Sequence, residues 1–319
     1  MNTKKILLAF DGSMQSLNAA ELCWELAAKY PIRLTAQHVV NTVGLWQLLN
    51  FELPGLTGSG PYIAAHQAMG QELRSIGETL VTIYETKAKT HGIADQCVLD
   101  EGDAISEVLR RSAANDLVVI GHHANGGTNK NNGTKSGEEG QLPRYLTHCS
   151  MAEALARVIQ KPLLVVQTVC HPWKSVKLVL NSNQPVESSF RAAAELAAFF
   201  NLPLEVDTFF QGEAEDANLP DLSVLTDETK HLYPHMALIT RKARLWPSAS
   251  NQHLAEVDCK PDSLVIVPTF ASGLERRSAF GTTLDLFVRY SGMPALLFYP
   301  AEAEHSEKGL QLTKSALTR

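Results

Sequence analysis

The chain has too few cysteines, in the wrong places, for a disulfide scaffold. Cys23, Cys97, Cys149, Cys170 and Cys259 are odd in number and scattered, with no C-x-x-C pair. Such usage points to a reducing compartment and offers no zinc ligand set. No apolar run approaches the roughly 18 residues of a membrane span. The first one, residues 6–10, stops at Asp11, shorter than the roughly 7–15 residues of a secretory signal. A cytoplasmic location is therefore expected, without a membrane partner. An excess of positive charge is also missing. Lys and Arg number 28 against 34 Asp and Glu, a formal charge of −6, so nucleic acid and anionic membrane have no electrostatic claim. Gly133-Thr134-Lys135-Ser136 imitates the end of a P-loop, but Thr134 separates Gly from Lys and no helix begins there. His122, His123, His148 and His171 follow no metal-ligand spacing, and no Ser/His/Asp set stands out. What the chain does have is length and apolar content. Its 319 residues suit about two domains, and 45% hydrophobic residues suit packed cores.

The organising stretch runs over residues 116–167. Residues 117–120 (LVVI) end at Gly121, and a polar Gly/Asn-rich loop follows. Ser150 opens a helix with Ala154, Leu155 and Val158 on its apolar side, and Pro162 stands beyond its end. Residues 163–166 (LLVV) form a second apolar run. Continuous apolar strands suit a parallel sheet covered on both faces. A Gly at a strand end and a hydroxyl at the next helix start suit an anion, because free N–H groups and the helix dipole point there. The same unit returns as residues 264–267 (LVIV), Pro268, a loop, Gly281-Thr282-Thr283, a helix to Tyr290, Pro294 and the run 295–299. The first strands are offset by 147 residues and the final prolines by 132, so the chain is an internal duplication.

In chain order, residues 6–10 read as a strand and Asp11-Gly12-Ser13 as a turn, with Ser13 capping a helix whose buried side holds Leu17, Ala20, Trp24 and Ala27. Residues 32–40 read as a strand and 41–65 as an apolar loop folded over the domain. A long helix is expected over 66–91, with Met69, Leu73, Ile76, Leu80, Ile83 and Ala88 at helical spacing. A strand at 93–99 and a helix from Gly102-Asp103 through Ala114 follow. The alternation argues for a doubly wound parallel sheet with right-handed crossovers. In the second half, strands are expected at 175–180, 203–210 and 236–240, and helices at 185–200 and 250–257. No counterpart of the long helix is legible between 211 and 235. The insert 125–140 is expected to be mobile and the tail 301–319 disordered, for want of apolar surface.

Taken together, these residues resemble the universal stress protein family in a tandem, two-domain form, over roughly 4–168 and 174–300. Asp11 stands where the family has an Asp after strand one, and His38-Val39 where it has His-Val in strand two. Against the pattern G-x2-G-x9-G-[ST], this chain has Gly121, Ala124, a gap of 24 residues, and Cys149-Ser150. In the second half, Pro268, Ala271 and Gly281-Thr282 keep the spacing without the first two glycines, and Asn181 replaces the Asp.

The resemblance implies an α/β fold of two tandem doubly wound parallel five-stranded sheets, adenine-nucleotide α-hydrolase-like, packed as an intrachain pseudo-dimer. The domains would be 1–170 and a degenerate 171–300. It implies ATP or AMP held by Ala9, Phe10, Asp11, Val39, Ile120, Gly121, His122, Ala124, Cys149, Ser150 and Met151. In that arrangement the Val39 backbone meets the adenine and Asp11 accepts from its amino group. Gly281, Thr282 and Thr283 would form a second, weak anion site. No metal is implied beyond a nucleotide-bound Mg, and no catalytic residue. The function expected is non-enzymatic stress response through nucleotide binding, with an unidentified protein partner and a homodimer as a further option. A degenerate protein acting through protein contacts alone is the alternative. An ATP-using enzyme of a related α/β family is the third reading, with no acid/base constellation behind it.

Overall fold

A computed structural model of the chain describes residues 3–46, 60–93, 96–122, 150–170, 173–181, 186–210, 221–241, 244–245, 262–272, 275–278 and 294–300. The 125–140 insert, the 250–257 helix, Ala124, Cys149, Gly281, Thr282, Thr283 and the 301–319 tail lie outside those residues. The chain divides into two units, Met1–His171 and Pro172–Arg319.

The first unit runs β1 (Lys4–Ala9), α1 (Met14–Lys29), β2 (Ile32–Val40), α2 (Gly60–Thr90), β3 (Cys97–Glu101), α3 (Ala104–Ser112), β4 (Leu117–Gly121), α4 (Met151–Val158) and β5 (Leu163–Val166). All pairings are parallel, in the order β3-β2-β1-β4-β5. The chain reverses its direction of travel across the sheet between β1 and β4. Ligands of open α/β sheets settle at the carboxyl ends beside such a point. Leu7, Leu8, Val118, Val119, Val165 and Val166 are fully buried, as strands covered on both faces require. Ser13 caps α1 by accepting from the Ser16 N–H. Trp24 of α1 donates to the Tyr84 hydroxyl of α2 at 3.1 Å, and both rings are buried. Phe10 and His91 close this aromatic cluster at centroid distances of 5.3 Å to Tyr84 and 5.0 Å to Trp24.

The structure corrects the sequence reading of the long helix in two ways. It starts at Gly60, and residues 42–46 are helical too, so the expected 41–65 loop is shorter. Pro61 reads as a breaker, yet a proline in the first turn has no N–H to lose. The face also differs. Met69, Leu73, Ile76 and Ile83 are 41%, 37%, 54% and 41% exposed, while Tyr62, Gly77, Tyr84 and Ala88 are buried. Gly77 explains the choice. A Cβ there would lie 2.8 Å from Leu99 and 3.1 Å from His38, so the helix meets the sheet through its missing side chain. Strand β3 is displaced towards Asp100 and Glu101, whose charges are matched by Arg111 and Arg74. Val158 of α4 is exposed, and Ala152, Leu155 and Ala156 form its buried side.

The second unit runs β6 (Ser175–Asn181), α5 (Glu187–Phe200), β7 (Leu204–Phe210), α6 (Ser223–Leu232), β8 (Leu238–Thr240), β9 (Arg244–Leu245), β10 (Ser263–Ser272), β11 (Glu275–Ser278) and β12 (Ala295–Pro300). Strands β8-β7-β6-β10-β12 repeat the parallel order of the first unit. Helix α6 stands where no helix was legible. Only Leu225 and Thr229 of it are buried, and its N-cap residue, Leu222, has no side-chain acceptor, so it carries little pattern.

Strand β10 is a larger correction. Residues expected to form a loop after Pro268 continue as strand to Ser272 and pair antiparallel with β11. Thr269 and Phe270 favour extended backbone, and Pro268 stands where the first unit has its strand-ending Gly121. Among the described residues Cys23, Cys97 and Cys170 form no disulfide, and no helix is long and apolar enough to cross a membrane.

Candidate functional site

A cleft of about 110 Å³ opens at the carboxyl ends of β1, β2 and β4. Of the residues singled out by sequence, Ala9, Phe10, Asp11, Val39, Ile120, Gly121, Ser150 and Met151 line it together. Positions far apart in sequence converge because all three strands end at the same level beside the reversal between β1 and β4.

Asp11 follows β1 directly. Its Oδ1 accepts from the Ser13 N–H at 2.9 Å, a turn that also sets up the start of α1. Burial of part of the carboxyl pushes its pKa up, but the Ser13 hydroxyl and N–H and the Ser16 hydroxyl outweigh that and hold it below the ordinary value. The group is ionised at neutral pH. Gly12 has φ +79°, a conformation that strains any L side chain, with Leu80 of α2 against it.

Gly121 ends β4. A Cβ there would lie 2.4–2.6 Å from the backbone of Gln15 and Ser16. The glycine lets the end of β4 touch the first turn of α1. That requirement holds whether or not a ligand is present.

Ser150 is the N-cap of α4 and forms a capping box with Glu153. Its Oγ accepts from the Glu153 N–H at 3.2 Å, and its own N–H donates to Glu153 Oε2 at 3.0 Å. The next first-turn N–H groups, of Met151 and Ala152, have no acceptor within the helix and border the cleft. They form an anion-seeking end. The His122 ring is buried beneath this cap, with Nδ1 3.2 Å from Ser150 Oγ and Nε2 4.0 Å from Glu153 Oε1. Serine, histidine and glutamate thus meet, but the last separation is too long for a hydrogen bond. The hydroxyl serves the helix start.

Sequence reasoning missed Ser16, Gln37, Ala104, Val108 and Ala152, which line the cleft together with His38 of the His-Val pair. Gln37 gave no distinct signal, because Arg33, Thr35 and Gln37 alternate with apolar residues along β2. Its Nε2 donates to Asp100 Oδ2 at 2.7 Å and to the Glu107 carbonyl at 3.3 Å. Asp100 in turn is gripped by Arg111 through bonds of 2.7 and 2.9 Å. The Arg111 bonds, with help from Gln37 and against partial burial, hold the Asp100 carboxyl below its ordinary pKa. Among the described residues no group of three His, Cys, Asp or Glu is placed to hold a metal ion.

In the second unit the register of β6, β7 and β10 puts Asn181 at the place of Asp11, Asp207 at that of Gln37 and Pro268 at that of Gly121. Asn181 and Asp207 are buried.

The sequence model of the universal stress protein family matches residues 2–167. No curated protein sequence matches the chain. Among solved structures, a universal stress protein from Archaeoglobus fulgidus is similar with a TM-score of 0.60 at 12% identity, covering 94% of this chain and 99% of that one. A family protein from Burkholderia pseudomallei is 24% identical over 38% of this chain and 82% of its own, with a TM-score of 0.29. A family protein from Arabidopsis thaliana, with AMP bound, is 15% identical over 37% of this chain and 76% of its own, with a TM-score of 0.27.

Proposed function

This chain belongs to the universal stress protein family, and on that premise we propose that it is a stress-response protein that binds an adenine nucleotide, ATP or AMP, in the cleft of its first unit and acts by binding rather than by catalysis. The observation that carries this reading is the convergence of an ionised Asp11, Gly121 and the capped start of α4 in one cleft. The cleft has two ends of different chemistry. The N–H groups of Met151 and Ala152 suit phosphate. Val39, Ala104 and Val108 suit a flat heterocycle. Asp11 offers its second oxygen to a ligand donor. Ser150, at the phosphate end, caps the helix with its oxygen and bonds Glu153 through its N–H, which supports a binding role over a nucleophilic one.

The second unit then acts as a pseudo-dimer partner without a tight site of its own. Pro268 has no N–H to offer a phosphate, and residues 269–272 are engaged with β11. Mass spectrometry of nucleotide released from heat-denatured protein tests the reading. Bound AMP or ATP is the expected result, and its absence together with no binding at millimolar nucleotide contradicts it. That outcome favours the second reading, action through protein contacts alone. The exposed apolar line Met69, Leu73, Ile76 and Ile83 on α2 speaks for it.

A further inference from the structure

The amide of Gln37 is fixed in one orientation. Its nitrogen faces two acceptors, the Asp100 carboxylate and the Glu107 carbonyl, and turning it over would set oxygen against oxygen. Asp100 cannot turn away, because Arg111 holds both its oxygens. The remaining atom, Gln37 Oε1, is buried and accepts from no donor among the described residues. The residue as a whole is 1% exposed, and it borders the cleft. A buried acceptor without a donor is costly, and such a cost persists where a ligand relieves it.

Its place in the cleft says which part of a ligand it reads. Gln37 is bonded to α3 through Glu107, between Ala104 and Val108, at the apolar end. The anion-seeking end lies across the cleft at α4. Resting on the adenine-nucleotide reading above, we propose that Gln37 Oε1 is the specificity-determining acceptor for the base, taking a hydrogen bond from the exocyclic amino group of adenine. A purine with a carbonyl at that position sets oxygen against oxygen and is rejected. The amino group therefore belongs to Gln37 rather than to Asp11, whose Oδ1 is occupied by Ser13 and which stands beside Gly121. Arg111 and Asp100 act at one remove: they position the amide and do not touch the base.

The test compares AMP with purine riboside 5′-monophosphate, which lacks only the amino group, by calorimetric titration of the full chain and its Gln37→Met variant. The parent should favour AMP by about fivefold to tenfold, the worth of one hydrogen bond to a buried acceptor. The variant should favour it by less than about twofold. Equal affinities of the parent for the two ligands overturn the assignment and leave the nucleotide site standing, and this arm needs no variant. A variant that keeps the parent's ratio overturns it as well. Failure of the parent to bind either ligand overturns both the assignment and the site reading. Inosine monophosphate adds a second check: it should bind the parent more weakly than purine riboside 5′-monophosphate, and tighter binding contradicts the acceptor role.

Discussion

The imidazole Nδ1 of His38 lies 2.8 Å from the carbonyl oxygen of Phe10. The carbonyl only accepts, so Nδ1 carries the proton. One side chain of β2 thereby holds the backbone immediately before Asp11. The same ring lies against Gly77 of α2. The His of the His-Val pair is a strut for the turn that carries the carboxylate, while Val39 lines the cleft.

His38→Ala should cost about 1–2 kcal/mol in urea unfolding, from one lost hydrogen bond and an unpaired carbonyl. It should also weaken nucleotide binding through Asp11. His38→Asn, which keeps a donor, should recover part of both. A His38→Ala protein with parental stability and affinity would show that the bond positions nothing.

Gly121→Ala should destabilise the first unit by about 1–3 kcal/mol even without nucleotide, because the new methyl meets the backbone of Gln15 and Ser16. Chemical denaturation of the ligand-free protein checks this. Unchanged stability with reduced nucleotide affinity would assign the glycine to the phosphate alone.

Asp100, bonded to Gln37, links the apolar end of the cleft to acid. Its folded pKa lies below the ordinary value, chiefly because of Arg111. A depressed carboxylate contributes stability that is present above its unfolded pKa and lost as pH falls through the folded one. The parent should therefore lose stability as pH drops below the ordinary carboxylate range, about 4. Asp100→Asn should be less stable at pH 7 and flatter across that window. Parallel stability-against-pH curves for the two proteins would contradict the linkage.

The second unit places charge where the first has a leucine. Lys177, at the register position of Leu7, meets Asp207 at 3.1 Å, and both are fully buried. Arg241 approaches the same carboxylate at 3.5 Å and Glu205 at 2.9 Å. Lys177→Met should cost about 3–5 kcal/mol, because it removes the ammonium 3.1 Å from a buried carboxylate. The double variant Lys177→Leu with Asp207→Gln, which restores the first unit's residues, should cost less than the single one. Thermal unfolding of the parent, the single and the double variant checks the order, and a double variant no more stable than the single one would contradict it.

Most strands of the first unit were legible because buried parallel strands are continuous apolar runs, as at residues 117–120 and 163–166. Ser13 and Ser150 were legible as caps because a hydroxyl before an apolar helix has a definite task. The face of α2 was not. Its aliphatic residues keep perfect helical spacing, and periodicity cannot tell that Gly77 brings Tyr62 and Tyr84 to the buried side, where of the expected line Ala88 is fully buried. The β10–β11 hairpin was hidden because the spacing from Pro268 to Gly281 matches a phosphate loop, whereas the residues in between favour strand. Gln37 was hidden because its task depends on Asp100 and Glu107, brought beside it only by the parallel pairing of β2 with β3.

The central claim is one tight adenine-nucleotide site per chain, in the first unit and dependent on Asp11. A charge-assisted hydrogen bond from a ligand to Asp11 is worth about 1.5–3 kcal/mol, so Asp11→Ala should weaken binding roughly tenfold or more. Calorimetric titration of the full chain with AMP and with ATP, repeated on Asp11→Ala, measures stoichiometry and dependence together. The account predicts one nucleotide per chain and the weakened variant. Two nucleotides per chain, or an Asp11→Ala protein that binds as tightly as its parent, would contradict it.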